Sequence, residues 1–185
     1  MFFKILIGLA VLLAGFCLYA ATRPNTFRYT RSLAIEAAPE AVFPYINDVH
    51  KFQEWNPFVK EDPNNRIAYS GPDAGLDAAC DWSGGKSGEG TMTIVESKPA
   101  ELVRYRMDFR KPFAATHTAE FTLKPGNGET VVSWSLYGDN NFIGKAMSVF
   151  IDCDKMCGDQ FLKGLANLKS LVEEPGGQSA PHAVQ

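Results

Sequence analysis

Residues 141–172 read NFIGKAMSVFIDCDKMCGDQFLKGLANLKSLV. Ile143, Met147, Phe150, Cys157, Phe161, Leu165, Leu168 and Val172 recur at steps of mostly three and four, which places them on one stripe of a helix. Asp154 falls in the same stripe, between Phe150 and Cys157. A carboxylate on the buried face of a helix is costly unless it is paired, solvated or neutralised. Two outcomes are open. In the first, the helix runs unbroken and Asp154 faces what the helix covers, as a general acid or base, a polar contact for a ligand, or half of a structural ion pair. In the second, the helix breaks around Ile151–Asp152. Asp152 then caps a new helix, and Asp154 sits in its first turn, where the helix dipole favours a negative charge.

The chain before this stretch supplies something for a helix to cover. Phe27, Tyr29, Leu33 and Ile35 alternate with more polar residues, as in a half-buried strand. Ala38-Pro39-Glu40 opens a short helix with an apolar side at Val42, Phe43 and Ile46, and Phe52, Trp55 and Phe58 mark a second helical turn that stops near Pro57. From Arg66 onward strand follows strand. The expected segments are Arg66–Tyr69, Leu76–Trp82, Gly88–Glu96, Val103–Phe109, Thr116–Leu123 and Thr130–Tyr137, with turns at Gly71-Pro72, Ser83–Lys86, Pro99–Glu101 and Gly126–Gly128. An antiparallel sheet with one apolar face needs a cover, and the C-terminal stretch is the only element long enough.

At 185 residues and 45% hydrophobic composition the chain suits one domain with a sizeable core. A net charge of −3 without a basic run or arginine stripe argues against nucleic acid as a partner. Cys17, Cys80, Cys153 and Cys157 match no zinc module, so neither metal nor cofactor is expected.

Ile5–Ala21 is uncharged and mostly apolar. As a helix it is about 26 Å long, close to what crosses a bilayer, and Phe2 and Phe3 extend it. Leu18 or Tyr19 would fill the −3 position of a signal cleavage site, and Phe16 interrupts a lipoprotein motif before Cys17. Residues 1–21 are therefore read as an uncleaved single-pass anchor, and 22–25 as a linker. Arg23, Arg28 and Arg31 after the span, against Lys4 before it, favour a cytoplasmic domain. Residues 174–185 read as a polar, disordered tail.

Particular segments carry a resemblance. They are Ile35-Glu36-Ala37-Ala38-Pro39-Glu40-Ala41-Val42-Phe43, Trp55-Asn56-Pro57-Phe58, Tyr69-Ser70-Gly71-Pro72, Gly88-Glu89-Gly90-Thr91-Met92 and Gly164-Leu165-Ala166-Asn167-Leu168-Lys169. With the order of elements, they make residues 26–173 resemble the START-like (SRPBCC) superfamily, and within it the proteins labelled polyketide cyclase/dehydrase. The resemblance implies an α+β helix-grip fold, in which a curved antiparallel sheet of about seven strands wraps a long C-terminal helix over a cavity. Members bind lipids, sterols, polyketides or other apolar molecules. They share no universal catalytic motif, so no catalytic set carries over.

The candidate ligand contacts are Trp55, Tyr105, Phe109, Phe121 and Trp134, which line a cavity or fill it, together with Phe150, Asp154 and Cys157 from the terminal stretch. His117 shares the apolar face of its strand with Ala119, Phe121 and Leu123 and is either a ligand donor, a partner of Asp154 or a structural residue. Cys157 is more suited to packing than to nucleophilic chemistry. The expected function is membrane-anchored binding of a small hydrophobic molecule, lipid or polyketide-like. The alternatives are a cyclase/dehydrase-type enzyme, using Asp154 or His117 for proton transfer, and an interaction or stress-response module with a filled cavity.

Overall fold

The computed structural model describes residues 2–174, so all of the tail expected over 174–185 except Glu174 lies outside the described residues. Helix α1 (Phe2–Ala21) is 20 residues of apolar sequence with a mean hydropathy of 2.3. At about 30 Å it is long and apolar enough to cross a membrane. A short link leads to β1 (Thr26–Ile35), then α2 (Pro39–Asn47), α3 (Val49–Trp55) and α4 (Pro57–Lys60). Six strands follow: β2 (Arg66–Ser70), β3 (Ala79–Gly84), β4 (Gly88–Lys98), β5 (Leu102–Lys111), β6 (Ala115–Pro125) and β7 (Thr130–Asp139). The chain closes with α5 (Phe142–Met147) and α6 (Cys153–Glu173).

The seven strands form one curved antiparallel sheet in the order β1-β7-β6-β5-β4-β3-β2. β1 pairs with β7 without interruption from Thr26 opposite Asp139 to Ile35 opposite Thr130. Alternation sorts the two faces. On the outer face a charged ladder crosses four strands. Glu120 accepts from Arg104 Nε at 2.6 Å and from Arg28 at 3.3 Å, and Arg104 also pairs with Glu96. Arg28 lies 3.8 Å over the Tyr137 ring. The inner face carries Ile94, Val103, Tyr105, Phe121, Val132 and Trp134, all buried. α6 lies across it with Phe161, Leu165 and Leu168 buried beneath.

Two expectations need correction. The second helical turn is two helices, because Asn56 caps a new one by accepting from the Phe58 amide at 3.1 Å. The strand expected from Leu76 begins at Ala79, and Asp48–Ala74 form an isolated bridge in the connection before it. Arg28 and Arg31 belong to β1 and are engaged by Glu120 and Asp154, which leaves Arg23 as the flanking charge of the link after α1.

The terminal stretch is two helices, not one. Asn141 caps α5 by accepting from the Gly144 amide at 2.9 Å. The chain turns at 148–151, and Asp152 caps α6 by accepting from the Lys155 amide at 2.9 Å. A cap satisfies amides that an unbroken helix would have bonded internally, so the break carries little hydrogen-bond cost. The α6 stripe therefore starts at Cys157, and Ile143, Met147 and Phe150 belong to a different surface.

Candidate functional site

Between the sheet and the first half of α6 lies a cavity of about 430 Å³. Its floor is the inner face of the sheet, with Trp82, Met92, Tyr105, Met107, Phe109, Ala119, Phe121, Trp134 and Leu136. Phe52, Gln53 and Asn56 from α3 and the turn after it close one side, and Met156, Cys157, Gln160 and Phe161 of α6 form the roof. Trp134 stacks on Phe161 with ring centroids 4.4 Å apart, which ties roof to floor at the cavity's edge.

Apart from Gln53 and Asn56 on the α3 side, the polar groups gather at one rim. Asn65, Lys86 and Ser87 line it from two connections. The buried Asp62 carboxylate fixes these connections to each other by accepting from the amides of Lys86 at 2.8 Å and Ser87 at 3.0 Å, and from the Ser87 hydroxyl at 3.1 Å. These donors, the Ser87 and Lys86 amides first, hold the Asp62 carboxyl below its ordinary range. Across the rim, Gln160 donates to Glu61 at 3.1 Å, and Lys163 pairs with the same carboxylate. The Asn65 Oδ1 and Gln160 Oε1 atoms are buried and have no hydrogen-bond partner. Two orphan acceptors in a cavity wall suit a ligand that brings a hydroxyl or N–H group.

Of the residues singled out from the sequence, Tyr105, Phe109, Phe121, Trp134 and Cys157 line the cavity. Four do not, and each has a physical reason. Trp55 is fully buried in the solid part of the core, where its indole donates to the Tyr45 carbonyl at 2.8 Å. Phe150 precedes the helix break and is 78% exposed, stacked on Phe16 of α1 at 5.4 Å. Asp154 lies outside the cavity lining, its side chain 55% exposed and bonded to Arg31 of β1 at 3.0 Å. His117 is directly opposite Met107 on the inner face but sits past the cavity, edge-on to Phe27 at 4.9 Å. Burial lowers its pKa from the usual imidazole range. Asp154 and His117 therefore do not meet at the cavity as proton-transfer groups.

Sequence reasoning missed Gln53, Asn56, Asn65, Lys86, Ser87 and Gln160. Asn65, Lys86 and Ser87 sit in or beside connections, where no period predicts a direction. Gln53 shows a faint signal, as a polar residue between Phe52 and Trp55 on a short helix. It donates to Cys80 Sγ at 3.3 Å and accepts from Asn56 at 2.9 Å.

Among the described lining residues Lys86 is the one lysine, arginine, aspartate or glutamate. Burial pushes the Cys80 thiol to about 12 and the Cys157 thiol to about 11, so neither is a thiolate near neutrality. The Tyr105 hydroxyl, also pushed up by burial, donates to the Ile46 carbonyl. Among the described residues no group of three or more His, Cys, Asp or Glu is placed to hold a metal ion.

Comparisons with known proteins agree with this architecture. Protein CV1439 from Chromobacterium violaceum is 19% identical, with 82% of this chain matched to 99% of that one at a TM-score of 0.56. The Aha1 dimer from Colwellia psychrerythraea gives 14% identity, 83% and 99% coverage and a TM-score of 0.58. Ginseng major latex-like protein 151 from Panax ginseng gives 10%, 82% and 100%, and 0.57. At these identities the likeness is one of fold, the START-like helix grip. Among curated protein sequences none matches this chain. A family model described as polyketide cyclase / dehydrase and lipid transport matches residues 26–173, and the chain therefore belongs to that family.

Proposed function

We propose that this protein is a membrane-anchored binder of a small, mainly hydrophobic molecule bearing one polar end, held between the sheet and α6. The observation that carries the reading is the cavity itself: about 430 Å³ of space walled by aromatic, methionine and aliphatic side chains. That size lies in the range of small-molecule sites, about 300–1,000 Å³. The apolar depth at Phe52, Tyr105 and Phe121 suits a hydrocarbon or polyketide-like body. The rim at Asn65, Lys86 and Gln160 suits a hydroxyl, amide or acidic end group. Helix α1 serves as the single-pass anchor, supported by its length and mean hydropathy of 2.3.

The cyclase/dehydrase-type alternative needs a proton-transfer group beside the ligand. Asp154 is committed to Arg31, and His117 stands outside the lining, so binding is the better-supported reading.

Native mass spectrometry of the detergent-extracted full chain tests it. A bound lipid or metabolite mass is expected in the wild type. Ala119→Phe puts a ring into the space at a position that is already buried, and is expected to lose that mass while keeping its thermal midpoint. Equal retention in both proteins would place the ligand elsewhere. Failure of the wild type to take up any apolar probe would reject binding.

A further inference from the structure

The sheet register brings the anchor and the cavity rim to the same end of the fold. Thr26 pairs with Asp139, Gly84 with Gly88, Arg66 with Ser83, and Phe109 with Ala115. The start of β1, the connection into α5 and the β3–β4 turn carrying Lys86 and Ser87 therefore share one end. α1 enters at that end through residues 22–25, a link of at most about 14 Å.

α5 is tied to the last turns of α1. Phe150 stacks on Phe16, and the Arg23 guanidinium donates to the Ser148 carbonyl at 2.8 Å and its hydroxyl at 3.3 Å. Phe16 precedes the end of α1 by five residues, so the contact lies about 7 Å below that end. Around it Phe142, Ile143, Met147, Phe150 and Ile151 are exposed to solvent. Interfacial helices bury an apolar face about 5–10 Å deep at the headgroup boundary, which is the depth this contact reaches if α1 crosses the bilayer.

We propose that α5 and the turn after it form a second membrane contact, lying in the bilayer interface beside α1, and that this contact turns the cavity rim toward the lipid surface. The occupant of the apolar face is the acyl boundary of the membrane, because the face is continuous with a helix of membrane-spanning length. This rests on the reading of α1 as a membrane anchor. Its functional consequence is that a ligand passes between bilayer and cavity at the rim.

The test uses the full chain in vesicles of phosphatidylcholine and phosphatidylglycerol, with tryptophan added at single positions and the wild-type emission subtracted. Phe150→Trp is expected to give blue-shifted emission that acyl-chain-brominated lipid quenches. Lys86→Trp at the rim is expected to be quenched by headgroup-attached nitroxide more strongly than Lys98→Trp at the opposite end of the sheet. An alkaline carbonate wash reports on α1 separately. A chain that resists the wash but leaves the Phe150→Trp emission unquenched overturns the interfacial contact and keeps the anchor. The same result with cross-linked dimers also overturns it and assigns the face to a second copy. Equal quenching at the Lys86 and Lys98 positions overturns the orientation. Extraction of the chain by carbonate overturns both readings.

Discussion

Toward the C-terminal end of β1, Ile35, Val42, Ile46, Val132, Leu165 and Leu168 meet beneath α6 with no residual exposure. Toward the other end of the same sheet face, Met107, Phe109 and Leu136 border empty space, roofed by Met156 and Cys157. The difference lies in what α6 offers. Over the solid end it presents Leu165 and Leu168, which pack among branched aliphatics, with Phe161 at the boundary. Over the hollow end it presents Met156, Cys157 and Gln160. A side chain at Gly158 would collide with the Arg31 guanidinium, so the helix stays small there and β1 meets it through an arginine. The lesson is that one helix divides its labour. Its C-terminal half supplies the packing that holds the grip closed, and its N-terminal half leaves room.

Truncation should expose the contrast most strongly. Leu165→Ala at the solid end removes a fully buried side chain among close neighbours and is expected to cost about 2–5 kcal/mol. Leu136→Ala at the hollow end enlarges space that already exists and is expected to cost less than about 2 kcal/mol, below that range. Chemical unfolding of the two variants in the same detergent decides it. Equal losses would mean that the cavity collapses in solution.

A smaller effect is expected where the two ends meet. A Cβ at Gly164 would lie 2.7 Å from the Trp134 ring and 3.0 Å from Pro57. Replacing a mid-helix glycine by alanine is ordinarily favourable by about 1 kcal/mol, whereas overpacking costs about 1–3 kcal/mol. Gly164→Ala is expected to show a net loss of about 1 kcal/mol. Trp134 borders the cavity, so its ring yields into the hollow, and ligand capacity should fall with stability. A thermal midpoint above wild type with undiminished ligand uptake would show that the helix does not rest on that ring.

This boundary also marks how far the sequence could be read. Period-two alternation placed Tyr105, Phe121 and Trp134 on the inner face, and the helical stripe placed Phe161, Leu165 and Leu168 against them, because burial on one face imposes those spacings. The same spacings do not distinguish a side chain that fills space from one that borders it. Trp55 and Phe121 both read as buried aromatics, yet one is locked in the core by a bond to Tyr45 and the other faces the cavity. Phe150 fitted the stripe on the assumption of a continuous helix, and the break capped at Asp152 removed it, whereas Asp154 stays in the first turn of α6 and pairs with Arg31. The rim at Asn65, Lys86 and Ser87 is set by Asp62 bridging two connections, a contact between segments more than 20 residues apart with no local signature.

The smallest expected effect concerns His117, at the far margin of the hollow end. Its ring lies between Phe27 and Phe109, and Nδ1 is buried without a partner. Burial therefore lowers its pKa below the usual 6.5. The folded protein favours the neutral ring, so the sign follows. Well above the unfolded pKa both states are neutral and the group contributes nothing to the pH dependence. As pH falls through the unfolded value toward the lowered folded one, the unfolded chain takes up its proton first and stability declines. The thermal midpoint in detergent should drop between pH about 7.5 and about 5.5, and His117→Leu should drop less, because the carboxylates common to both proteins cancel in the difference. The half-buried setting keeps this difference below those of the truncations. A variant with the same slope as wild type would mean that water reaches Nδ1, and that the open end of the fold is wetter at its margin than the rings around His117 imply.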